Sequence, residues 1–180
     1  MLTGLRIEMP SRDDLGSANI VFEKAITLAF QQEDIIEDAP QEIEYKKFLI
    51  RESVENRNFD MIFLVAKLEE RVIGTVSFGP CGDDIRVCTN NELNHVGEQG
   101  SLYVLPEYQG QGVGSALIKA MLQHLQSNGV KHFCLDCGLK VAQAKWLRKF
   151  GEPYKVVKDY WGKGSHHLVW LCDVADYINK

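Results

Sequence analysis

No stretch of this 180-residue chain is long and apolar enough to span a bilayer, although 45% of its residues are hydrophobic, so no membrane insertion is expected. Nor is there an excess of positive charge. Lys and Arg number 20 against 25 Asp and Glu, a formal net charge of −5, which argues against nonspecific nucleic-acid binding through clustered cations and suits cationic acceptors better. A cationic N-terminal segment followed by an apolar core and a small-residue cleavage site is missing, so export is not expected and the cytoplasm is the default. The five cysteines, Cys81, Cys88, Cys134, Cys137 and Cys172, are odd in number and lack the regular spacing of a disulfide framework, so reduced thiols are expected. Cys134-x-x-Cys137 has no second CxxC or spaced His pair beside it and reads, within His132-Phe-Cys-Leu-Asp-Cys137, as a buried strand. His166-His167 would face opposite ways on a strand and cannot easily share a metal, so no metal is expected. With no repeat and no low-complexity linker, a single domain over residues 1–180 accounts for the chain.

What is present alternates strand and helix signals. Leu5 to Met9 reads as a first strand, and Ser11-x-x-Asp14 after Pro10 resembles a helix-start box. Leu15, Ala18, Phe22, Ala25 and Ala29 follow at helical spacing, and a second helix after Pro40 is expected to carry Ile43, Ile50 and Val54 inward. Asp60 to Phe78 reads as a hairpin around Glu69-Glu70, and Gly79 to Gly97 as a turn-rich connection. Strands over Glu98 to Val104 and Lys131 to Cys137, a helix over roughly Val141 to Phe150, and strands near Tyr154 to Tyr160 and His166 to Cys172 complete the pattern. The reading is α/β: a mixed central sheet of about six to seven strands flanked by about four helices.

The densest signal is Leu102-Tyr-Val-Leu-Pro-Glu-Tyr-Gln-Gly-Gln-Gly-Val-Gly-Ser-Ala-Leu117, an extended apolar run, a turn with Pro106, and alternating glycines opening a helix. Glycines let backbone approach a ligand, and the first N–H groups of a helix have no internal partners, so a cradle for a pyrophosphate is expected here. Val113, Ala116, Leu117, Ala120, Met121 and Leu125 form the helix's apolar stripe, and Asn128-Gly129 stops it. Gly110-Gln-Gly112-Val-Gly114-Ser115 nearly fits the dinucleotide fingerprint G-x-G-x-x-G/A, with Asp136 near the distance of its ribose acid. However, Leu105 to Gln109 separate strand from glycines, and too little chain follows for a doubly wound sheet.

Gln109-x-x-Gly112-x-Gly114, preceded by Leu102-x-Val104-x-Pro106, resembles the acyl-CoA signature of the GNAT superfamily of N-acetyltransferases. The resemblance implies a single-domain GNAT-like fold, acetyl-CoA as acyl donor, pantetheine contacts at Leu102, Tyr103 and Val104, and pyrophosphate contacts from Gln109 through Gly110, Gln111, Gly112, Val113 and Gly114 to Ser115. It extends over nearly the whole chain by element order, while its specific residues lie between Glu98 and Ser115.

Amide formation on a thioester needs an unprotonated amine, and an amine with a pKa of about 10.4 must lose a proton at neutral pH. Glu98 matches the glutamate position that serves as base in some histone-type members. The thioester carbonyl needs a backbone N–H donor, which the resemblance places at the bulged end of the central strand, near Val104. A tyrosine acid is usual on the fourth helix of the family, but counting back from Gly151 puts Leu147 there, leaving Tyr154 or Tyr160 as substitutes or a thiolate that departs into solvent unaided. For the acceptor, a small-molecule amine and a peptide N-terminus or lysine both stay open. The acidic run Glu33-Asp34-Ile-Ile-Glu37-Asp38 and Trp161 are candidate acceptor contacts. A monomer or homodimer is expected. Three functions are weighed: an acetyl-CoA-dependent N-acetyltransferase, a non-catalytic acyl-CoA-binding module, and a dinucleotide-dependent oxidoreductase.

Overall fold

The computed structural model describes residues 2–178. In chain order its elements are β1 (Leu5–Glu8), α1 (Leu15–Gln32), α2 (Ala39–Glu55), β2 (Ile62–Leu68), β3 (Arg71–Gly79), α3 (Asp83–Cys88), β4 (Glu98–Val104), α4 (Val113–Ser127), β5 (His132–Cys137), α5 (Lys140–Phe150), β6 (Lys155–Val157), β7 (His167–Asp173) and α6 (Val174–Tyr177), with short 3-10 turns before α1, α2 and α4. The strands form one seven-stranded sheet in the order β1-β2-β3-β4-β5-β7-β6. No helix among the described residues is long and apolar enough to cross a membrane. The chain divides into two compact units, Met1–Phe78 with Ser101–Met121, and Gly79–Gly100 with Leu122–Lys180.

In the first unit the helix-start box is real: the Ser11 backbone N–H and hydroxyl both donate to Asp14 Oδ2 at 2.8 Å. Asp14 is also met by Lys67 Nζ at 2.8 Å, and Lys67 reaches Glu8 at 3.1 Å. Burial works to raise the pKa of Asp14, but Lys67 and the Ser11 donors outweigh it and hold the carboxyl below its usual range. One buried ammonium thus ties β1, the start of α1 and β2. On the inner side, Ala18, Val21, Phe22, Ala25 and Ile26 of α1 are buried, as are Phe63, Val65, Val72, Ile73 and Val76 of the hairpin. In α2 the buried residues are Ala39, Leu49 and Ile50. Ile43 and Val54 are only half-buried, because α2 leaves Tyr45 and Phe48 on an open face and its inward stripe is narrower than the apolar spacing implies. Gly74 of β3 lies under α4: a Cβ there would stand 3.0 Å from Leu117 and 3.1 Å from the Tyr103 carbonyl.

The second unit departs further from the sequence reading. The connection expected to be turns contains α3, whose first turn holds Asp83 and Asp84 and whose inward residues are Ile85 and Cys88. Six residues are too few for periodicity to separate such a helix from a turn. Instead of a strand over Tyr154 to Tyr160, β6 has only three residues. The chain leaves the sheet because Asp159 is left-handed at φ 56° and its N–H donates to His166 Nδ1 rather than to a strand. β4 and β5 are parallel, with Glu98 opposite Cys134, and β5 and β7 are antiparallel, with Asp136 opposite Val169. One core gathers Cys81, Ile85, Cys88, Leu93, Val96, Cys134 and Val169, with Val157 and Tyr160 against it. Another stacks Phe133, Trp146 and Tyr177 around Phe150.

Candidate active site

The loop after β4 is built to present backbone. The Leu105 N–H donates to Ile73 O at 2.9 Å and fixes the end of β4. Gln109 then folds its side chain back, donating to the Val104 carbonyl at 3.0 Å, and Gln111 does the same to Glu107 O at 2.8 Å. Gly110 and Gly112 take left-handed backbone, φ 74° and 86°, which an L side chain adopts only with strain. Nothing lies within 4 Å of where either Cβ would stand. The first hydrogen bond of α4 runs from Ala116 to Gly112 O at 3.0 Å, so the N–H groups of Val113, Gly114 and Ser115 have no partner within the helix. Open space in front of orphan donors at a helix N-terminus suits a pyrophosphate. Val113 is 1% exposed and anchors the helix start, while Gly110, Gln111, Gly112 and Ser115 are exposed. Gly114 is less constrained, since a Cβ there would meet Val104 and Leu102 at ordinary distances of 3.9 and 4.0 Å.

Leu102, Tyr103 and Val104 are half-buried. The Tyr103 ring meets Phe22 edge-on at 5.7 Å and its hydroxyl donates to Glu42 at 3.1 Å. The irregularity expected near Val104 falls earlier: Ser101 is the left-handed residue of β4, at φ 48°, and its carbonyl accepts the Thr75 hydroxyl at 2.8 Å. A single left-handed residue turns the groups that follow it and breaks the two-residue alternation of the strand. The acidic run is exposed from Asp34 to Asp38 and includes a 3-10 turn over Ile36–Asp38.

In the second unit, Glu98 is half-buried and its Oε2 accepts the Gly82 N–H at 2.7 Å, a contact that fixes the carboxylate. Both candidate acids are engaged. Tyr154 donates to Glu92 at 2.6 Å and Tyr160 to Asp84 at 2.8 Å. The carboxylate at each hydroxyl raises the pKa of the phenol, so neither readily gives up a proton. Leu147 is 39% exposed on α5, beside Trp146 stacked on Phe150. All five cysteines are buried, and burial, followed by the charges of Cys81 and Glu98, pushes the Cys134 thiol far above its usual range, which removes it as a nucleophile.

Sequence reading missed one constellation. His167, 3% exposed, holds Asp136 Oδ2 at 3.0 Å with Nε2 and accepts the Trp161 indole N–H at Nδ1, 2.9 Å. Asp136 stands at the ribose-acid distance of a dinucleotide fingerprint that the strand-to-glycine spacing disfavours, and His167 belongs to an adjacent pair that cannot easily share a metal, so neither pattern points to their pairing. The only signal available was the alternation that puts Asp136 and Cys134 on one face of β5.

The model of the Acetyltransferase (GNAT) family matches residues 24–151. No curated protein matches the chain. Among solved structures, the paia N-acetyltransferase of Thermoplasma acidophilum, in complex with coenzyme A, superposes with a TM-score of 0.67 at 18% identity over 94% of this chain and 98% of that one. An N-acetyltransferase of Staphylococcus aureus Mu50 gives 0.63 at 15% identity over 96% and 99%. The ribosomal-protein-S18-alanine N-acetyltransferase of Escherichia coli gives 0.62 at 14% identity over 94% of each chain. At these identities the likeness is one of fold, and together with the family match over most of its length it shows that the chain belongs to the GNAT acetyltransferase family.

Proposed function

We propose that this protein transfers an acetyl group from acetyl-CoA to a primary amine by direct attack within a ternary complex, with residues 1–180 as one domain. The observation that carries the proposal is the left-handed Gly110 and Gly112 ahead of the N–H groups of Val113, Gly114 and Ser115, which have no partner within the helix. In this reading those amides hold the pyrophosphate, while Gln109 and Gln111 hold the loop in shape through the Val104 and Glu107 carbonyls. Leu102, Tyr103 and Val104 run beside the pantetheine. Acetyl-CoA supplies the thioester. Glu98 takes the proton of the attacking amine, and a backbone N–H near Val104 polarises the carbonyl. No dedicated acid is required, because a thiol with a pKa of about 8.5 leaves as thiolate with modest help.

The acceptor is a small amine or a peptide N-terminus or lysine; the neighbour named for ribosomal protein S18 alanine supports the peptide alternative. Action in the cytoplasm, as monomer or homodimer, without nucleic acid or membrane, belongs to the same reading. A second reading, a non-catalytic acyl-CoA-binding module, is favoured by Leu147 at the place of the usual tyrosine and by the engaged hydroxyls of Tyr154 and Tyr160. Thermal shift with acetyl-CoA and NAD in parallel tests the cradle, since a ligand that binds only the native state raises the midpoint. Acetyl-CoA is expected to raise it and NAD to leave it unchanged. Release of free thiol across an amine panel then separates enzyme from module, and silence with every amine would overturn the enzyme.

A further inference from the structure

Within the second unit, three residues distant in sequence form one hydrogen-bonded chain ending in a carboxylate. Trp161 donates its indole N–H to His167 Nδ1 at 2.9 Å, and His167 Nε2 meets Asp136 Oδ2 at 3.0 Å. An indole nitrogen only donates, so Nδ1 is the acceptor and Nε2 carries the proton given to Asp136. Both nitrogens of a buried imidazole are thus committed, and the tautomer is fixed. Beyond it, Trp161 is 56% exposed although its ring packs on the Gly138 backbone and meets Tyr160 edge-on at 4.8 Å. Its loop is held by Gly164 N–H to Asp159 Oδ1 at 2.6 Å and by Trp161 N–H to Ser165 O at 3.1 Å. An exposed aromatic ring is therefore immobilised by a buried polar chain.

The carboxylate is the other open end. The Asp136 side chain is 24% exposed, no lysine or arginine pairs with it, and Oδ1 has no protein donor among the described residues. Asp136 lies two residues along β5 from Cys134, the register partner of Glu98, so Glu98 and Asp136 share a face of the sheet. With parallel strands about 4.8 Å apart and a rise of about 3.3 Å per residue, the two backbone positions stand roughly 8 Å apart, and their side chains face a span on the scale of a four-carbon chain with an amine at each end.

We infer that Asp136 and Trp161 bind a second cationic group of the acceptor, and that His167 is the positioning residue for both. This rests on the acetyltransferase reading and narrows its acceptor to a diamine or longer polyamine: one nitrogen is acetylated beside Glu98, the other sits between a carboxylate and an aromatic face. The carboxylate attracts the ammonium directly and the ring adds a cation–π contact.

The test uses the full chain and two probes, 1,4-diaminobutane and butylamine. Calorimetry measures diamine binding to the protein saturated with CoA, and kcat/KM is measured for both amines with acetyl-CoA. The wild type is expected to bind and prefer the diamine. Asp136→Asn should cut the diamine-to-monoamine ratio of kcat/KM by about tenfold or more, through KM rather than kcat. Trp161→Leu, a change at an exposed ring, should cut it by about three- to tenfold. His167→Gln should shift the ratio the same way and displace the Trp161 indole N–H resonance, which a general loss of packing would not single out. No diamine binding, or an unchanged ratio in Asp136→Asn and Trp161→Leu, overturns the inference. Equal use of both amines by the wild type overturns it while the transferase reading stands. Failure to bind acetyl-CoA removes both.

Discussion

The glycine cradle of the first unit and the Glu98 face of the second are made of different material. The cradle is backbone: left-handed glycines, amides without a partner in their own helix, and glutamine side chains turned to carbonyls. The face is side chain: Glu98 on Gly82, Tyr160 on Asp84, and His167 between Asp136 and Trp161. A site made of backbone is specified by spacing within a dozen residues. The side-chain face instead joins residues 31 apart for His167 and Asp136 and 76 apart for Tyr160 and Asp84, so a single substitution can alter it while the cradle stays as it is. The first should therefore break through conformation and charge, and the second through loss of a specific functional group.

The largest effect is expected at the cradle. Gly112→Asp forces an L side chain into φ 86° and puts a carboxylate where a pyrophosphate needs positive potential. Acetyl-CoA binding should fall below detection by calorimetry, while the far-UV circular dichroism of the folded protein is retained. Gly114→Ala sharpens the point, because a Cβ there meets only ordinary contacts and should weaken binding far less. If the two variants bind alike, the left-handed glycines are not what makes the cradle.

On the face, Glu98→Gln keeps an acceptor for the Gly82 N–H and removes only the basicity. General base catalysis contributes about a hundred- to ten-thousand-fold, so turnover at neutral pH should fall by at least the lower figure with little change in acetyl-CoA affinity. As pH rises towards the amine pKa of about 10.4 the free amine fraction grows and the base matters less, so part of the loss should be recovered in alkali. A loss of less than severalfold at every pH removes Glu98 as the base.

Tyr160→Phe should cost much less. Its hydroxyl serves Asp84, and the carboxylate that raises its pKa makes it a poor acid at neutral pH. Turnover at saturating acetyl-CoA and acceptor is expected within several-fold of wild type, and the same holds for Tyr154→Phe, whose hydroxyl serves Glu92. A drop of several hundredfold in either variant, with donor affinity kept, would make that tyrosine the acid.

The same contrast explains what the sequence could and could not convey. The strand, turn and helix from Glu98 to Ser127, the hairpin around Glu69-Glu70 and the Ser11–Asp14 box were legible, because each is fixed by local spacing or by a side chain reaching three residues. Helix α3 was hidden by its six-residue length, and the shortening of β6 by a left-handed Asp159, a conformation that Asp tolerates better than most residues but adopts at few of its positions. Left-handed Ser101 was equally invisible. The pairing of Asp136 with His167 depends on β5 and β7 being neighbours in a particular register, which periodicity does not state.

The smallest effect lies next to Glu98. Gln99 is 4% exposed and its Oε1 has no hydrogen-bond partner among the described residues; strand alternation sends its side chain to the opposite face from Glu98. A buried amide oxygen without a donor costs about 1–3 kcal/mol, and replacing it with an apolar chain of similar shape recovers part of that. Methionine has the length and no polar requirement to satisfy. Gln99→Met should therefore raise the thermal midpoint by about 2–4 °C, as expected for roughly 1 kcal/mol in a chain of this size. Acetyl-CoA and acceptor constants should be read on the same variant. A midpoint that falls would mean that Gln99 makes a hydrogen bond in the protein, and a midpoint that rises with unchanged constants would place the orphan oxygen in packing, apart from both the cradle and the face.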